Sequence, residues 1–223
     1  MPFDPSSKAR LTAYDLDRYS GDTLFDRIGR AVCAAGCLPR KELYEAWEVA
    51  RRARRLFRGG RIVDMAAGHG LLAHILLILD DSSPDALAVD VSPPPSSLAL
   101  HEALVAAWPR LAGRVRVVAC SLDTVELSAG DVVVSSHACG ALTDVVLAHA
   151  AAARARVAVL PCCHNLTVND TGTLEGWLDG ALAIDAMRAV GLRQQGYRVW
   201  TQTIPANITA KNRLLLGEPV QKP

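Results

Sequence analysis

Arg61-Ile62-Val63-Asp64-Met65-Ala66-Ala67-Gly68-His69-Gly70-Leu71-Leu72-Ala73 is the stretch that decides the fold. An apolar run ends in Asp64, a turn of small residues follows, and an apolar helix begins at about Leu71. Strand, tight turn and helix in that order open a nucleotide-binding α/β sheet. Gly68 and Gly70 have no side chain, so the backbone can approach a ligand and take positive φ. Asp64 stands at the carboxyl end of the strand, where open α/β sheets bind their ligands.

Two cofactor patterns fit this turn. Gly68-x-Gly70-x-x-Ala73 satisfies the dinucleotide fingerprint. Asp64-x-Ala66-x-Gly68-x-Gly70 satisfies the acid-x-G-x-G-x-G pattern of an S-adenosylmethionine site, with Ala66 in place of the first glycine. Asp64 separates them. A carboxylate under the turn favours the cationic amino-acid end of S-adenosylmethionine and disfavours an anionic pyrophosphate.

Outward from the turn, strands and helices alternate. Ala86-Leu87-Ala88-Val89-Asp90-Val91 reads as strand two and ends in a second acid, placed to accept hydrogen bonds from a ribose diol. Arg114 to Cys120 reads as strand three, followed by Asp123, a candidate acceptor for an adenine amino group. Strand four spans Asp131 to Ser136 and strand five Arg156 to Leu160. A largely helical region containing Trp177, Leu178, Leu182, Ile184 and Met187 is expected next. Tyr197 to Ile204 and Arg213 to Gly217 complete the set as an antiparallel pair. Before the turn, apolar spacing predicts helices over 22–36 and 40–57, preceded by a polar, loosely packed lead-in over residues 1–20. The domain reading is therefore a helical segment over 1–58, a cap or substrate wall, and a sheet domain over 59–223. The fold expected is α/β and Rossmann-like, a mainly parallel seven-stranded sheet with an antiparallel terminal hairpin.

The totals narrow the function classes. The chain has 223 residues, 50% hydrophobic and 21% charged, enough for one α/β domain with a full core. A formal net charge of +1 gives no bulk attraction to nucleic acid. No apolar run reaches membrane-span length and Met1 to Arg10 lacks a signal-peptide core, so a cytoplasmic protein is expected. The six cysteines then read as thiols or ligands rather than a disulfide frame. Arg51, Arg52, Arg54, Arg55, Arg58 and Arg61 form either a phosphate-binding patch for RNA or a solvated helix face, and the second reading is preferred. Cys33 and Cys37 are spaced to share a helix face and read as small core residues.

Strands four and five run into His137-Ala138-Cys139-Gly140 and Pro161-Cys162-Cys163-His164. As neighbours about 4.8 Å apart they would bring two histidines and three cysteines together beside the methyl donor. His137 or His164 would serve as a general base, since neutral imidazole accepts a proton near neutral pH. Zinc binding is the second reading, but the spacing matches no standard motif and no metal is assigned. For the cysteines, small hydrophobes at crowded strand ends are preferred. Lys211 and Arg213, in or beside the loop joining the last strands, are candidates to hold a substrate phosphate or carboxylate.

The chain at this point resembles the methyltransferase-domain family that includes a eukaryotic tRNA 2′-O-ribose methyltransferase. The resemblance rests on Asp64 to Gly70, on Ser136-His137-Ala138-Cys139-Gly140-Ala141-Leu142-Thr143-Asp144, and on Leu160-Pro161-Cys162-Cys163-His164. It implies a class I fold, with Asp64, Gly68, Gly70 and Asp90 toward S-adenosylmethionine; Ala66 departs from the family's glycine there, and Asp123 joins the cofactor side by its place after strand three. His137, Cys139, Asp144, Cys162, Cys163 and His164 would line the reaction site. The expected activity is methylation of an RNA ribose hydroxyl or of an oxygen, nitrogen or sulfur nucleophile on a small molecule. The alternatives are a non-catalytic or redox metal-binding module using the Cys/His cluster, and a dinucleotide-dependent oxidoreductase.

Overall fold

A computed structural model describes residues 4–220. Two helices, α1 (Leu24–Ala35) and α2 (Arg40–Leu56), precede the alternating part. That part runs β1 (Ile62–Met65), α3 (Leu71–Leu79), β2 (Ala86–Asp90), α4 (Ser97–Ala107), β3 (Val115–Ala119), β4 (Val132–Ser135), α5 (Ala141–Ala152), β5 (Arg156–Val159), α6 (Gly180–Gln194), β6 (Tyr197–Thr203) and β7 (Arg213–Pro219). The sheet order is β3-β2-β1-β4-β5-β7-β6, parallel through β5, with β7 antiparallel to both β5 and β6. The chain runs from β1 outward through β2 to β3, then returns to place β4 on the other side of β1. The strand order reverses there, which opens a ligand crevice at the carboxyl ends of β1 and β4.

Both faces of the sheet are covered, and the two-residue period of each strand divides its side chains between them. Ile62, Ala86, Ala88, Val132, Val134, Ala158, Leu214 and Leu216 join the core under α1–α4. Val63, Met65, Val89, Val133, Val157, Val159 and Leu215 join the core under α5 and α6. Every residue from Leu71 to Ile78 is buried. Such all-round burial marks α3 as an internal helix, with the sheet on one side and α2 packed on the other. The N-terminal helices and the sheet thus share one continuous apolar core.

The arginine run is explained by this packing. Glu48 accepts from Arg51 at 3.0 Å and from Arg52. Arg54 is 2% exposed and donates to the Leu76 carbonyl, the Phe57 carbonyl and the Ser83 hydroxyl, with Asp80 at 3.2 Å. Arg58 also faces Asp80, and Arg61 forks onto Asp131 at 3.1 and 2.7 Å. Arg51 and Arg52 are thus engaged within α2, Arg54 with α3 and the loop after it, and Arg61 with Asp131, instead of forming one phosphate-binding row.

Three expectations are corrected. Within the described residues the lead-in is packed, not loose: Leu11 and Tyr19 are buried, and residues Ala13–Tyr19 form a short 3-10 helix. The physical reason is Pro39, which begins α2 without a side chain that can cap it. The Ser7 and Ala9 carbonyls accept from the Lys41 and Arg40 amides instead, satisfying donors that a helix start leaves open. The region after β5 is helical only in its second part, where α6 carries Leu182, Ile184 and Met187 but not Trp177 or Leu178. Residues 161–179 are turns and loop, with Leu166, Val168 and Trp177 exposed, and α6 begins only at Gly180 behind the Asp179 cap. Finally, Cys37 lies beyond the left-handed Gly36 that ends α1, so it does not share a helix face with Cys33, although both are buried.

Candidate active site

The turn after β1 is built on positive φ: Ala66 at 57°, Gly68 at 54° and Gly70 at 77°. At Gly70 a Cβ would stand 3.1 Å from the Ala88 Cβ, so glycine is required there for space as well as conformation. Ala66 carries the cost of a left-handed alanine, about 1 kcal/mol. Ala66→Gly is therefore expected to stabilise the chain by up to about 1 kcal/mol, read from the urea midpoint; a glycine variant that is less stable contradicts the assignment.

The two acids at the strand ends hold this turn from below and from the side. Asp90 Oδ2 accepts from the Gly68 amide at 2.9 Å and its Oδ1 from the Ser92 amide at 3.0 Å. Asp64 faces α3, where its Oδ2 accepts from the Ala73 amide at 3.2 Å. Its Oδ1 is buried with no partner. Burial pushes the Asp64 carboxyl up to about 8, against the Ala73 amide, which favours the carboxylate; the Asp90 charge adds to the rise. Asp123 is exposed and accepts from the Ser121 hydroxyl at the end of β3, which holds it below the usual carboxylate range.

A histidine pair missing from the sequence reading supports the same turn. His74 Nδ1 lies 2.7 Å from the Gly70 carbonyl, and His74 Nε2 lies 3.0 Å from His101 Nδ1. A carbonyl only accepts, so His74 carries its proton on Nδ1, and Nε2 accepts from His101. His74 is fully buried, and desolvation drives it down to about 4. A base depressed on folding stabilises the native state above its unfolded pKa of about 6.5 and loses that contribution as pH falls through 6.5 toward 4. The loss at pH 5 is about 2 kcal/mol. Denaturant midpoints measured from pH 7 to 4.5 should show it, and His74→Gln should flatten that slope; an unchanged slope would contradict the buried neutral imidazole.

The second half of the site comes from the loops after β4 and β5. His137 is half-buried, and burial holds it below the ordinary histidine value. It shares a small cleft with Glu42, Ala67, His69 and Leu71. Glu42, at the start of α2, is raised to about 7, mainly by burial and then by Glu45. His69 Nε2 lies 2.9 Å from the Ser96 hydroxyl. Neither Glu42 nor His69 was singled out from sequence; an acid in a first helical turn has an ordinary dipole explanation.

His164 is placed differently from His137. Its Nε2 is 2.7 Å from Asp185 Oδ1, on α6. Asp185 also accepts from Arg188 at 3.1 Å and from Arg213 at 2.7 Å. Arg188 in turn donates to Asp144 at 2.7 and 3.1 Å and to the Gly140 carbonyl at 3.1 Å, while Asn169 donates to Asp144 at 2.7 Å. Asp144, His164 and Arg213 are thus joined in one ion-pair network that ties both loops to α6. Arg213 and Asp185 also line a cavity of about 510 Å³ between α6 and the terminal hairpin.

The cysteines are not separate packing residues. Cys139 Sγ is 2.8 Å from Cys162 Sγ, Cys162 Sγ is 3.8 Å from Cys163 Sγ, and Lys211 Nζ is 3.8 Å from Cys163 Sγ. The reading of these three as individual small hydrophobes is corrected: Cys139 is exposed, the other two are half-buried, and the thiols face one another.

A family model described as a methyltransferase domain matches residues 49–170. No curated protein sequence matches the chain at a significant level. Among solved structures, an O-methyltransferase family protein from Burkholderia thailandensis is 20% identical, with a TM-score of 0.53 over 92% of this chain and 62% of its own. The S-adenosylmethionine-dependent methyltransferase SibL is 20% identical, with a TM-score of 0.52 over 95% of this chain and 66% of its own. A Pyrococcus horikoshii protein proposed to be an RNA methyltransferase is 14% identical, with a TM-score of 0.51 over 82% of this chain and 86% of its own. This chain spans less than two thirds of the length of the first two. At these identities the likeness is one of fold.

Proposed function

The chain belongs to the methyltransferase-domain family, whose methyl donor is S-adenosylmethionine, and we propose that the acceptor is a nucleophilic atom of a small molecule held beside the loops after β4 and β5. The observation that carries the cofactor assignment onto particular residues is Asp64, whose Oδ1 is buried and unpartnered at a glycine turn. An uncompensated inward carboxyl suits a ligand with a cationic amino-acid end. Asp64, Ala66, Gly68 and Gly70 would cradle that end, while Asp90 and Asp123, at the next two strand ends, would face the nucleoside. When bound, S-adenosylmethionine supplies an electrophilic methyl group on a sulfonium.

The chain's own contribution is position and a proton acceptor. His137 is the base: burial keeps it neutral at pH 7. His164 is the positioning residue, because its Nε2 is committed to Asp185. A small-molecule acceptor is favoured over RNA because Arg51 and Arg54 of α2 are engaged by Glu48 and Asp80, and Arg61 beyond it by Asp131. A ribose hydroxyl of RNA is the alternative acceptor.

The test is calorimetric titration with S-adenosylmethionine and its demethylated product, followed by methyl-transfer screens of small thiols and phenols beside RNA fractions. Binding of both cofactor forms, with transfer to a small nucleophile, is expected. Absence of cofactor binding would overturn the site. Transfer to RNA, with affinity falling steeply as salt rises, would replace the small-molecule acceptor.

A further inference from the structure

We propose that Cys139, Cys162 and Cys163 form a three-thiolate site for a thiophilic divalent cation, zinc(II), with a fourth position left open. Their sulfur atoms all lie within 4.8 Å of one another. Among the described residues no other group of His, Cys, Asp and Glu side chains gathers three ligand atoms in this way.

The geometry is close to what zinc requires. Three sulfurs each about 2.3 Å from a tetrahedral centre stand about 3.8 Å apart. Cys162 and Cys163 are already at 3.8 Å. Cys139 and Cys162, at 2.8 Å, need to open by only about 1 Å. Because Cys139 is exposed on a loop, that movement displaces no core side chain.

Charge and support agree with the assignment. Three thiolates and one zinc ion leave a net charge of −1, and the Lys211 ammonium stands 3.8 Å from Cys163 to balance it. Loops on both sides are anchored from behind. Arg188 grips the Gly140 carbonyl beside Cys139, and the Thr143 hydroxyl donates to the Ala138 carbonyl. His164, next to Cys163, is fixed by Asp185. Metal ligands commonly rely on such outer hydrogen bonds for their orientation. Softness selects the ion, since thiolate ligands favour zinc over magnesium or calcium. Three protein ligands leave zinc a position for an exchangeable fourth, a water or a thiolate.

The experiment uses the whole chain, reduced and kept anaerobic, with cobalt(II) alone and zinc(II) alone as probes. One ion per chain is expected. Bound cobalt should show an intense thiolate-to-metal charge-transfer band, which zinc abolishes by displacement. Cys162→Ser and Cys139→Ser should each weaken binding by about 100-fold or more. Cys33→Ser and Cys120→Ser should leave it unchanged, and the exposed Cys139 provides a variant that does not disturb the core. No stoichiometric ion in fully reduced protein would overturn the site, as would a cobalt spectrum without the thiolate band or binding indifferent to Cys139→Ser. Titration of the same samples with the demethylated cofactor keeps the two readings apart: cofactor binding without metal sinks this site alone.

Discussion

Asp64→Asn is expected to weaken S-adenosylmethionine binding about 10- to 100-fold while leaving the fold as stable or more stable. Asparagine retains an oxygen for the Ala73 amide, which lies 3.2 Å from Asp64 Oδ2, so the start of α3 keeps its acceptor. What is lost is the charge on the inward oxygen, and a hydrogen bond to a charged partner contributes about 1.5–3 kcal/mol. The pH dependence gives an independent readout. The folded carboxyl titrates at about 8 against an ordinary value of 3.8, so the native state holds more protons than the unfolded state between those limits. Wild-type stability must then fall as pH rises from about 4 to about 8 through this group, and the stability advantage of Asp64→Asn must grow over the same window. A cationic ligand favours the ionised carboxyl, so binding at pH 7 should release a proton. Calorimetry in buffers of different ionisation enthalpy measures that release. Undiminished affinity in the variant, or binding without proton release in the wild type, would show that Asp64 does not face the cofactor.

Arg188→Ala is expected to cost about 3 kcal/mol of folding stability. The side chain is 4% exposed and forks between Asp144, Asp185 and the Gly140 carbonyl. Removing it leaves Asp144 with Asn169 and solvent, leaves the Gly140 carbonyl without this donor, and leaves Asp185 held only by His164 and Arg213. The remaining partners of Asp185 keep the loss at the lower end of the range for broken buried pairs. Arg188→Lys keeps the charge without the planar fork and should fall between the two. Urea unfolding measures the total. Hydrogen exchange locates it: residues 161–179 and the Cys139–Gly140 segment should lose protection while β1 and α3 keep theirs. Uniform loss across the sheet would mean that Arg188 supports the core in general rather than these loops.

Much of this architecture was legible in the chain. β1, the Asp64 turn and α3 are separated by changes in side-chain period, and α3 occupies the expected residues. The terminal hairpin followed from two strand-like runs with a short connection. Of the residues read as a helical region after β5, Leu182, Ile184 and Met187 lie on α6, whereas Trp177 and Leu178 precede it, and Trp177 is apolar yet faces solvent. Periodicity reports which residues are apolar and not which are buried. The geometry of the candidate site was legible where it depends on local order, as in the turn of Asp64, Gly68 and Gly70. It was illegible where charges meet across the fold. Arg188 and Asp144 are 44 positions apart, and Arg213 and Asp185 are 28 apart. No local pattern distinguishes Asp185 from any other acid on a half-exposed helix.

The placement of β7 has a consequence for the order in which the molecule assembles. β7 pairs with β6 along its whole length, from Thr203 opposite Arg213 to Tyr197 opposite Pro219, but with β5 only from Val157 to Val159. The hairpin is a local structure that can form in about microseconds, whereas docking its inner edge on β5 closes a far longer loop. Until it docks, β5 presents a bare edge and Cys163 lacks Lys211. The elements between β1 and β3, which carry the proposed cofactor side, have no such dependence. The chain can therefore complete β1 to β3 first and order the loops after β4 and β5 only when the last two strands lock in, so an arrested or partly unfolded molecule would retain the proposed donor cradle without the proposed acceptor side.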